Sequence, residues 1–126
     1  MKKSLCLLML MMIVWSVSLV SGCNETHSYV GESEHWKGTL HLTQSGGKEV
    51  EEGTIVYKGK DKQEVKRVIW KVQGMHGERG GNDYLTDGTI RISGSCTGCA
   101  MQGKDEPYDV TVEWNGVKET FQMKRR

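Results

Sequence analysis

The sequence predicts an all-β fold, and three observations support this prediction. The whole chain contains 16 glycines and one proline, and the part after residue 23 has few alanines and leucines. The apolar positions of this part are dominated by Val, Ile, Trp and Tyr, which together with Thr favour strands. Segments in which apolar and polar residues alternate recur along it, as expected for strands that have one buried face.

Six segments with this alternation are predicted to be strands. They span residues 34–43, 53–58, 65–72, 89–93, 108–114 and 117–123. Their apolar faces carry Trp36, Trp70 and Trp114, which we expect to be buried because each tryptophan can bury a large area. Asn115-Gly116 lies between the last two segments and predicts a two-residue hairpin turn. Other turns are predicted at Gly46-Gly47, Asp61-Lys62 and Asp87-Gly88.

Short antiparallel strands with one apolar face must bury those faces against one another. The predicted fold is therefore a small antiparallel β-sandwich of immunoglobulin-like type, and a small β-barrel is the alternative. The segment from Gly74 to Gly88 has five glycines in fifteen residues. We expect it to be a long mobile loop, and loops of this kind often carry function.

The first 22 residues have the pattern of an export signal. Lys2 and Lys3 provide a positive start, and the segment from Leu5 to Val20 is mostly apolar and carries no charge. A comfortable membrane-spanning helix needs about 20 apolar residues, so this run is short for that role. It fits the apolar core of a signal peptide.

The signal ends in Val20-Ser21-Gly22-Cys23, which resembles the lipobox of bacterial lipoproteins. The resemblance covers residues 1–23. It implies cleavage between Gly22 and Cys23 and a diacylglyceryl group on the Cys23 thiol, with acyl chains such as palmitate. Two acyl chains are enough for stable anchoring. The expected organisation is a signal peptide over 1–22, a lipidated tether over 23–33 and a β-domain over 34–126, held on the extracytoplasmic face of the cell membrane.

A second resemblance covers the nine residues from Tyr29 to Lys37. In this segment Gly-Glu-Ser is followed closely by His35 and then by Trp36-Lys37. The arrangement is similar to the segment that opens the folded part of small, uncharacterised lipoproteins from Gram-positive bacteria. The resemblance implies a membrane-attached β-domain, and it carries no catalytic residues.

The charge of the mature part is balanced. Without Lys2 and Lys3, the chain has 15 basic and 16 acidic residues. Nucleic-acid-binding domains are usually strongly basic, so this balance argues against nucleic acid as a partner. The expected partners are the membrane, through lipid on Cys23, and an envelope protein or glycan.

Cys96 and Cys99 remain as a pair in the mature part once Cys23 carries lipid. In an oxidising exterior such a pair is expected to form a disulfide. Two other interpretations stay open. One is a redox dithiol, which would need a helix N-terminus to lower the thiol pKa. The other is a metal site with Met101, because thiolate and thioether ligands favour copper(I).

The histidines show no spacing that favours a metal site, and we expect no cofactor. Met75 and His76 precede the 89–93 strand while the cysteines follow it, so they are expected to lie roughly 16 Å apart unless a long loop folds back. His35 and His41 share a face but lie about 20 Å apart along their strand. We therefore expect no metal ligands and histidines that lie at the surface.

No catalytic constellation is visible in the sequence. No serine lies in a nucleophile-elbow motif, and no serine, histidine and acid have a diagnostic spacing. The adjacent carboxylates Glu51-Glu52 and Asp105-Glu106 are interpreted as solvated surface charge, because neighbours on a strand point to opposite faces. We expect a protein that is not an enzyme.

These observations favour a lipid-anchored binding or accessory module at the cell envelope. The alternative is a metal-handling or redox lipoprotein that uses Cys96 and Cys99. A third hypothesis is an envelope inhibitor or immunity-type protein, which balanced charge and a rigid sandwich would permit.

Overall fold

The protein is nearly all β from residue 25 onward. The computed structural model describes residues 2–7, 9, 24–85 and 87–126. Residues 2–7 are helical, and in the described part of the chain no helix has the length and apolarity needed to cross a bilayer. A short 3-10 helix at Lys62–Glu64 precedes the fourth strand. The described strands are β1 (Glu25–Glu32), β2 (Trp36–Ser45), β3 (Lys48–Tyr57), β4 (Arg67–Gly74), β5 (Gly77–Tyr84), β6 (Thr89–Thr97), β7 (Tyr108–Trp114) and β8 (Val117–Arg125).

The eight described strands form one antiparallel sheet with the order β5-β4-β7-β8-β1-β2-β3-β6. The sheet curls round until it is nearly closed, and β5 and β6 are its edges. The ladder between β1 and β8 has two residue pairs, Tyr29–Arg125 and Val30–Lys124. Each side of this junction holds four strands, and the two halves share one core. The predicted all-β fold, a small antiparallel sandwich or barrel, is confirmed.

The barrel has two ends that matter for the sites described below. The lower end holds the start of β1 at Glu25, the β2–β3 and β4–β5 turns, and the end of β6. The upper end holds the starts of β2 and β4 and the β7–β8 turn. These positions follow from the antiparallel pairing, because neighbouring strands run in opposite directions.

Aromatic side chains hold the two halves of the sheet face to face. Trp36, Trp70 and Trp114 are all buried, which confirms the prediction for them. Trp36 packs edge-on against Trp114 with 5.4 Å between ring centroids. Tyr29 packs edge-on against Tyr108 at 4.9 Å. Edge-to-face packing is a favoured geometry for aromatic pairs, and here it joins β2 to β7 and β1 to β7.

The turns lie where the sequence predicted them. Asn115 and Gly116 have φ angles of 48° and 75°, as the two central residues of a type I′ turn require. Gly46 and Gly47 have φ angles of 56° and 79° and join β2 to β3. Asp61 caps the short 3-10 helix by accepting a hydrogen bond from the backbone N–H of Gln63 at 3.0 Å.

The segment that was expected to be a tether is strand β1. It pairs with β2 from Glu25–Gln44 to Glu32–Lys37. Only Tyr29 of this strand is fully buried, so the apolar alternation that reveals a strand in the sequence is nearly absent. Backbone hydrogen bonds to β2 stabilise it instead. Cys23, where lipidation and cleavage are predicted, lies outside the described residues.

The glycine-rich segment from Gly74 to Gly88, which was expected to be a mobile loop, is largely a hairpin. Strand β5 pairs with β4 from Arg67–Tyr84 to Gly74–Gly77. No residue of β5 is fully buried, which is why its sequence lacks the pattern of a strand. The described residues therefore contain two strands more than predicted, both with few buried side chains.

Candidate functional site

Two carboxylates are buried inside the lower end of the barrel. Glu49 and Glu51 lie two residues apart on β3 and point inward, with 1% and 2% of their surface exposed. The expectation that Glu51-Glu52 is solvated is therefore wrong for Glu51, while Glu52 is exposed. The reason is the period of the strand, since Glu49 and Glu51 continue the inward face of Ile55 and Tyr57.

His76 lies between these two carboxylates. Its Nδ1 atom is 3.1 Å from Oε1 of Glu49, and its Nε2 atom contacts Oε1 of Glu51. The His76 side chain is 7% exposed, so the prediction of a surface histidine is wrong at this position. The β4–β5 hairpin places it here, because the turn after Gly74 folds across the lower end of the barrel.

Three donors hold the carboxylates from their other side. Arg79 Nε donates to Oε2 of Glu51 at 3.2 Å. The backbone N–H of Gln102 donates to Oε2 of Glu49 at 2.6 Å, and Gln44 Nε2 donates to the same oxygen at 2.8 Å. We call Glu49, Glu51, His76, Arg79 and Gln102 the lower cluster. Hydrogen bonds to the charged form stabilise a buried carboxylate.

The buried side chain of Gln102 connects the hairpin to the loop after β6. Its Oε1 atom accepts a hydrogen bond from the backbone N–H of Met75 at 2.8 Å. Its Nε2 atom donates to the carbonyl of Glu106 at 2.8 Å. Gln102 thereby fixes the turn that carries His76 relative to the rest of the lower cluster.

Tyr108 at the start of β7 belongs to the same polar region. Burial raises the pKa of its hydroxyl, and the charges of Glu51 and Glu49 raise that pKa further. The hydroxyl oxygen has no hydrogen-bond partner among residues 24–85 and 87–126. Tyr108 is therefore a neutral phenol at physiological pH.

A second polar cluster lies at the upper end and connects the β1–β2 turn to β8. Ser33 Oγ and the backbone N–H of His35 donate to Oε1 of Glu119 at 2.6 and 3.0 Å. The His35 ring contacts the other carboxylate oxygen at 2.5 Å. A serine nucleophile needs the imidazole as its base, but here the Ser33 hydroxyl is bonded to the carboxylate. This arrangement clamps a turn and does not activate a nucleophile.

Cys96 and Cys99 form a disulfide at the end of β6, as the sequence predicted. Gly98 between them has a φ of 71°, and its N–H donates to the carbonyl of Gly47 at 3.0 Å. The bonded loop thus lies on the β2–β3 turn at the lower end. It is at the same end as Met75 and His76, because β5 returns the chain to the upper end before β6 begins. The expected separation of roughly 16 Å along one strand assumed no such return.

A shallow surface groove runs along the outer face of β4, β7 and β8. Two adjoining depressions form it, and Ile69, Glu113 and Lys118 line both. Val117 lies beside the second depression at the β7–β8 turn, where it pairs with Trp114. Ile69 and Val117 are exposed, and Tyr84 on the neighbouring strand is 75% exposed. We call this surface, together with Tyr84 and Arg67, the outer groove. The guanidinium of Arg67 lies over the ring of Tyr84, 5.9 Å from its centroid.

The comparisons with known proteins give no relative from which a function could be transferred. Neither a family model, nor a curated protein, nor a solved structure matches this chain. The functional argument therefore depends on the described residues and their geometry.

Proposed function

We propose that the protein is a lipid-anchored, extracytoplasmic binding module without catalytic activity, and that it docks an envelope protein at the outer groove. The anchoring part rests on the lipobox that ends at Cys23. The observation that carries the docking part is the exposure of Ile69 and Tyr84 on the outward face of the neighbouring strands β4 and β5. Exposed apolar side chains that cluster on one surface often mark a binding site.

The composition of the outer groove fits a protein surface better than a small ligand. Small-ligand sites are concave and enclose most of the ligand, whereas this groove is shallow. Tyrosine and arginine are the residue types that contribute most to protein interfaces, and here Tyr84 and Arg67 stack on each other. Ion pairs border the groove, with Lys71 Nζ 3.4 Å from Glu78 and Lys118 Nζ 3.7 Å from Glu113.

The fold would separate the apolar end of the outer groove from lipid on Cys23. Strand β1 begins at Glu25, two residues after Cys23, so lipid on Cys23 would hold the lower end of the barrel close to the bilayer. Arg67, Tyr84 and the turn at Asn115 lie at the upper end. A strand of eight residues is about 25 Å long. The apolar end of the groove would therefore face outward, where an envelope protein can reach it.

Crosslinking in native membranes tests the docking proposal. We expect Ile69→Lys to reduce the yield of a crosslinked partner protein about tenfold or more, because a charge replaces a central apolar contact. Thr39→Lys is the matched control, since Thr39 lies on β2 in the other half of the sheet. Equal yields from both variants, or recovery of a glycan alone, would contradict the proposal.

A further inference from the structure

Three buried polar atoms converge inside the lower cluster. They are Oε1 of Glu49, Oε1 of Glu51 and Nδ1 of His76, and none of them has a properly directed hydrogen bond within the described residues. One ligand atom from each residue lies within 4.8 Å of the other two. Oε1 of Glu49 lies beside Nδ1 of His76, and Oε1 of Glu51 lies beside Nε2 of the same ring. Buried polar atoms nearly always make directed hydrogen bonds, so three that make none, in one cluster with the spacing of metal ligands, indicate a ligand.

The remaining carboxylate oxygens are oriented by neighbouring groups. Oε2 of Glu49 accepts from Gln102 and Gln44, and Oε2 of Glu51 accepts from Arg79. Each carboxylate is thus held by one oxygen while its other oxygen faces His76. Metal-binding carboxylates are characteristically supported by outer hydrogen bonds in this way.

We propose that Glu49, Glu51 and His76 bind one divalent transition-metal ion, for which zinc is the reference. Calcium and magnesium prefer oxygen ligands alone, whereas an imidazole with two carboxylates suits zinc and other first-row ions. Zinc binds nitrogen and carboxylate oxygen at about 2.0–2.2 Å. Two ligands of one zinc ion therefore lie at most about 4.4 Å apart, so small side-chain rotations would complete the site.

The charges of the lower cluster allow this occupant. The two carboxylates neutralise a divalent ion, and neutral His76 completes the site without adding charge. Arg79 leaves the metal-filled cluster with a net charge of +1. The competing arrangement places a protonated His76 and Arg79 against Glu49 and Glu51 and has zero net charge. The competing arrangement predicts no metal uptake, so a binding measurement separates the two.

The other group with suitable spacing fits a metal less well. Glu34, His35 and Glu119 also have one ligand atom each within 4.8 Å of one another. However, both oxygens of Glu119 already contact Ser33 or His35, and Glu34 is exposed. The lower cluster is buried, and Oε1 of Glu49 and Oε1 of Glu51 contact only His76, without a directed hydrogen bond, so it is the stronger site.

The side chain of Arg79 lies between the edge strands β5 and β6, beside the lower cluster. Arg79 on β5 packs against Gly94 on β6, where an added Cβ would overlap its guanidinium group. Arg79 is the most exposed member of its ion pair, with 28% of its side chain accessible. Arg79 is thus the member of the lower cluster that is most accessible to solvent.

The test uses the full chain without an affinity tag, freed of metal by a chelator and then titrated with zinc chloride. We expect one zinc ion per chain, and we expect zinc to raise the melting temperature. Glu49→Gln, Glu51→Gln and His76→Gln should each weaken zinc binding about tenfold or more. Glu52→Gln is the matched control, because this substitution makes the same chemical change at a neighbouring position that is exposed.

A second measurement uses only the wild-type chain, so its result does not depend on whether the variants fold. Cobalt(II) added to the wild-type chain should broaden the backbone amide signal of Gln102, which bonds to Glu49. The signal of Asn115 at the upper end should stay sharp. No zinc uptake by the wild type, equal uptake by all three variants, or cobalt broadening at His35 in place of Gln102 would overturn the proposal.

Discussion

At the scale of single residues, Glu119 shows how hydrogen bonds and burial act against each other. Burial acts to raise the pKa of Glu119, but hydrogen bonds from Ser33 and His35 and the charge of His35 lower it below its ordinary value. The net shift is downward because three donors stabilise the carboxylate form. The folded protein thus prefers the ionised Glu119 more strongly than the unfolded chain does.

We expect Glu119→Gln to lower the free energy of unfolding by about 1–2 kcal/mol at neutral pH. A carboxylate whose pKa is lowered by folding contributes stability above its unfolded pKa, and this contribution is lost as the pH falls through the folded pKa. The difference in unfolding free energy between wild type and variant should therefore shrink as the pH falls below 4.5, the ordinary pKa of a glutamate side chain. Urea unfolding at several pH values measures it.

The control for this prediction is Glu113→Gln. The side chain of Glu113 is 45% exposed and lies 3.7 Å from Lys118, and ion pairs at the surface contribute little to stability. We expect a small difference from wild type at every pH. If Glu119→Gln lowered the unfolding free energy by the same amount down to pH 3, the stabilisation could not come from the charge of the carboxylate.

The residues of the lower cluster differ in how well the sequence could have revealed them. Glu49 and Glu51 fall on the inward positions of β3 once the alternation from Ile55 is extended backward. His76 carries no such signal, because its burial depends on a hairpin that the glycine-rich sequence conceals. Arg79 is recognisable only from its contact with Glu51.

At the scale of elements, the junction between β1 and β8 is the narrowest part of the sheet. Its ladder contains two residue pairs, and beside it a Cβ at Gly31 would overlap the backbone carbonyl of Gln122. The two strands can approach this closely only because residue 31 is glycine. Gly31 therefore connects the two halves of the sheet.

We expect Gly31→Ala to lower the free energy of unfolding by about 1–3 kcal/mol, because the added methyl group must push β1 away from β8. Amide exchange should increase more in β1 and β8 than in β3 and β6. Thr26→Ala is the control on the same strand, since Thr26 is exposed and its loss should change stability by at most about 0.5 kcal/mol. An equal increase in amide exchange in all strands would contradict a local effect of Gly31→Ala on β1 and β8.

At the scale of the whole molecule, the expected anchor and the folded domain lie almost directly next to each other. Strand β1 spans Glu25–Glu32, so these residues of the tether expected over 23–33 are paired backbone. Lipid on Cys23 would therefore hold the lower end, with its disulfide and lower cluster, close to the bilayer surface.

The intact mass of the chain extracted from native membranes tests the anchor. We expect the mass of residues 23–126 plus a diacylglyceryl group, because lipid on the Cys23 thiol is the predicted anchor. Alkylation should reveal two thiols only after reduction, because Cys96 and Cys99 are bonded. Cys23→Ala should abolish recovery in the membrane fraction. An unlipidated mass, or a Cys23→Ala chain that stays in the membrane, would contradict the proposed anchoring.

The sequence by itself determined the fold class, the tryptophan core, the hairpin turns and the pairing of Cys96 with Cys99. These features depend on local sequence. The alternation of apolar residues, the turn residues and the two-residue spacing between the cysteines can be recognised without knowledge of the tertiary contacts. The tertiary structure alone decided that residues 25–32 and 77–84 are strands, because backbone pairing with a neighbour stabilises them and few of their side chains are buried. It also decided that Glu49, Glu51 and His76 meet inside the barrel, since their contact depends on a hairpin that folds across strands distant in sequence.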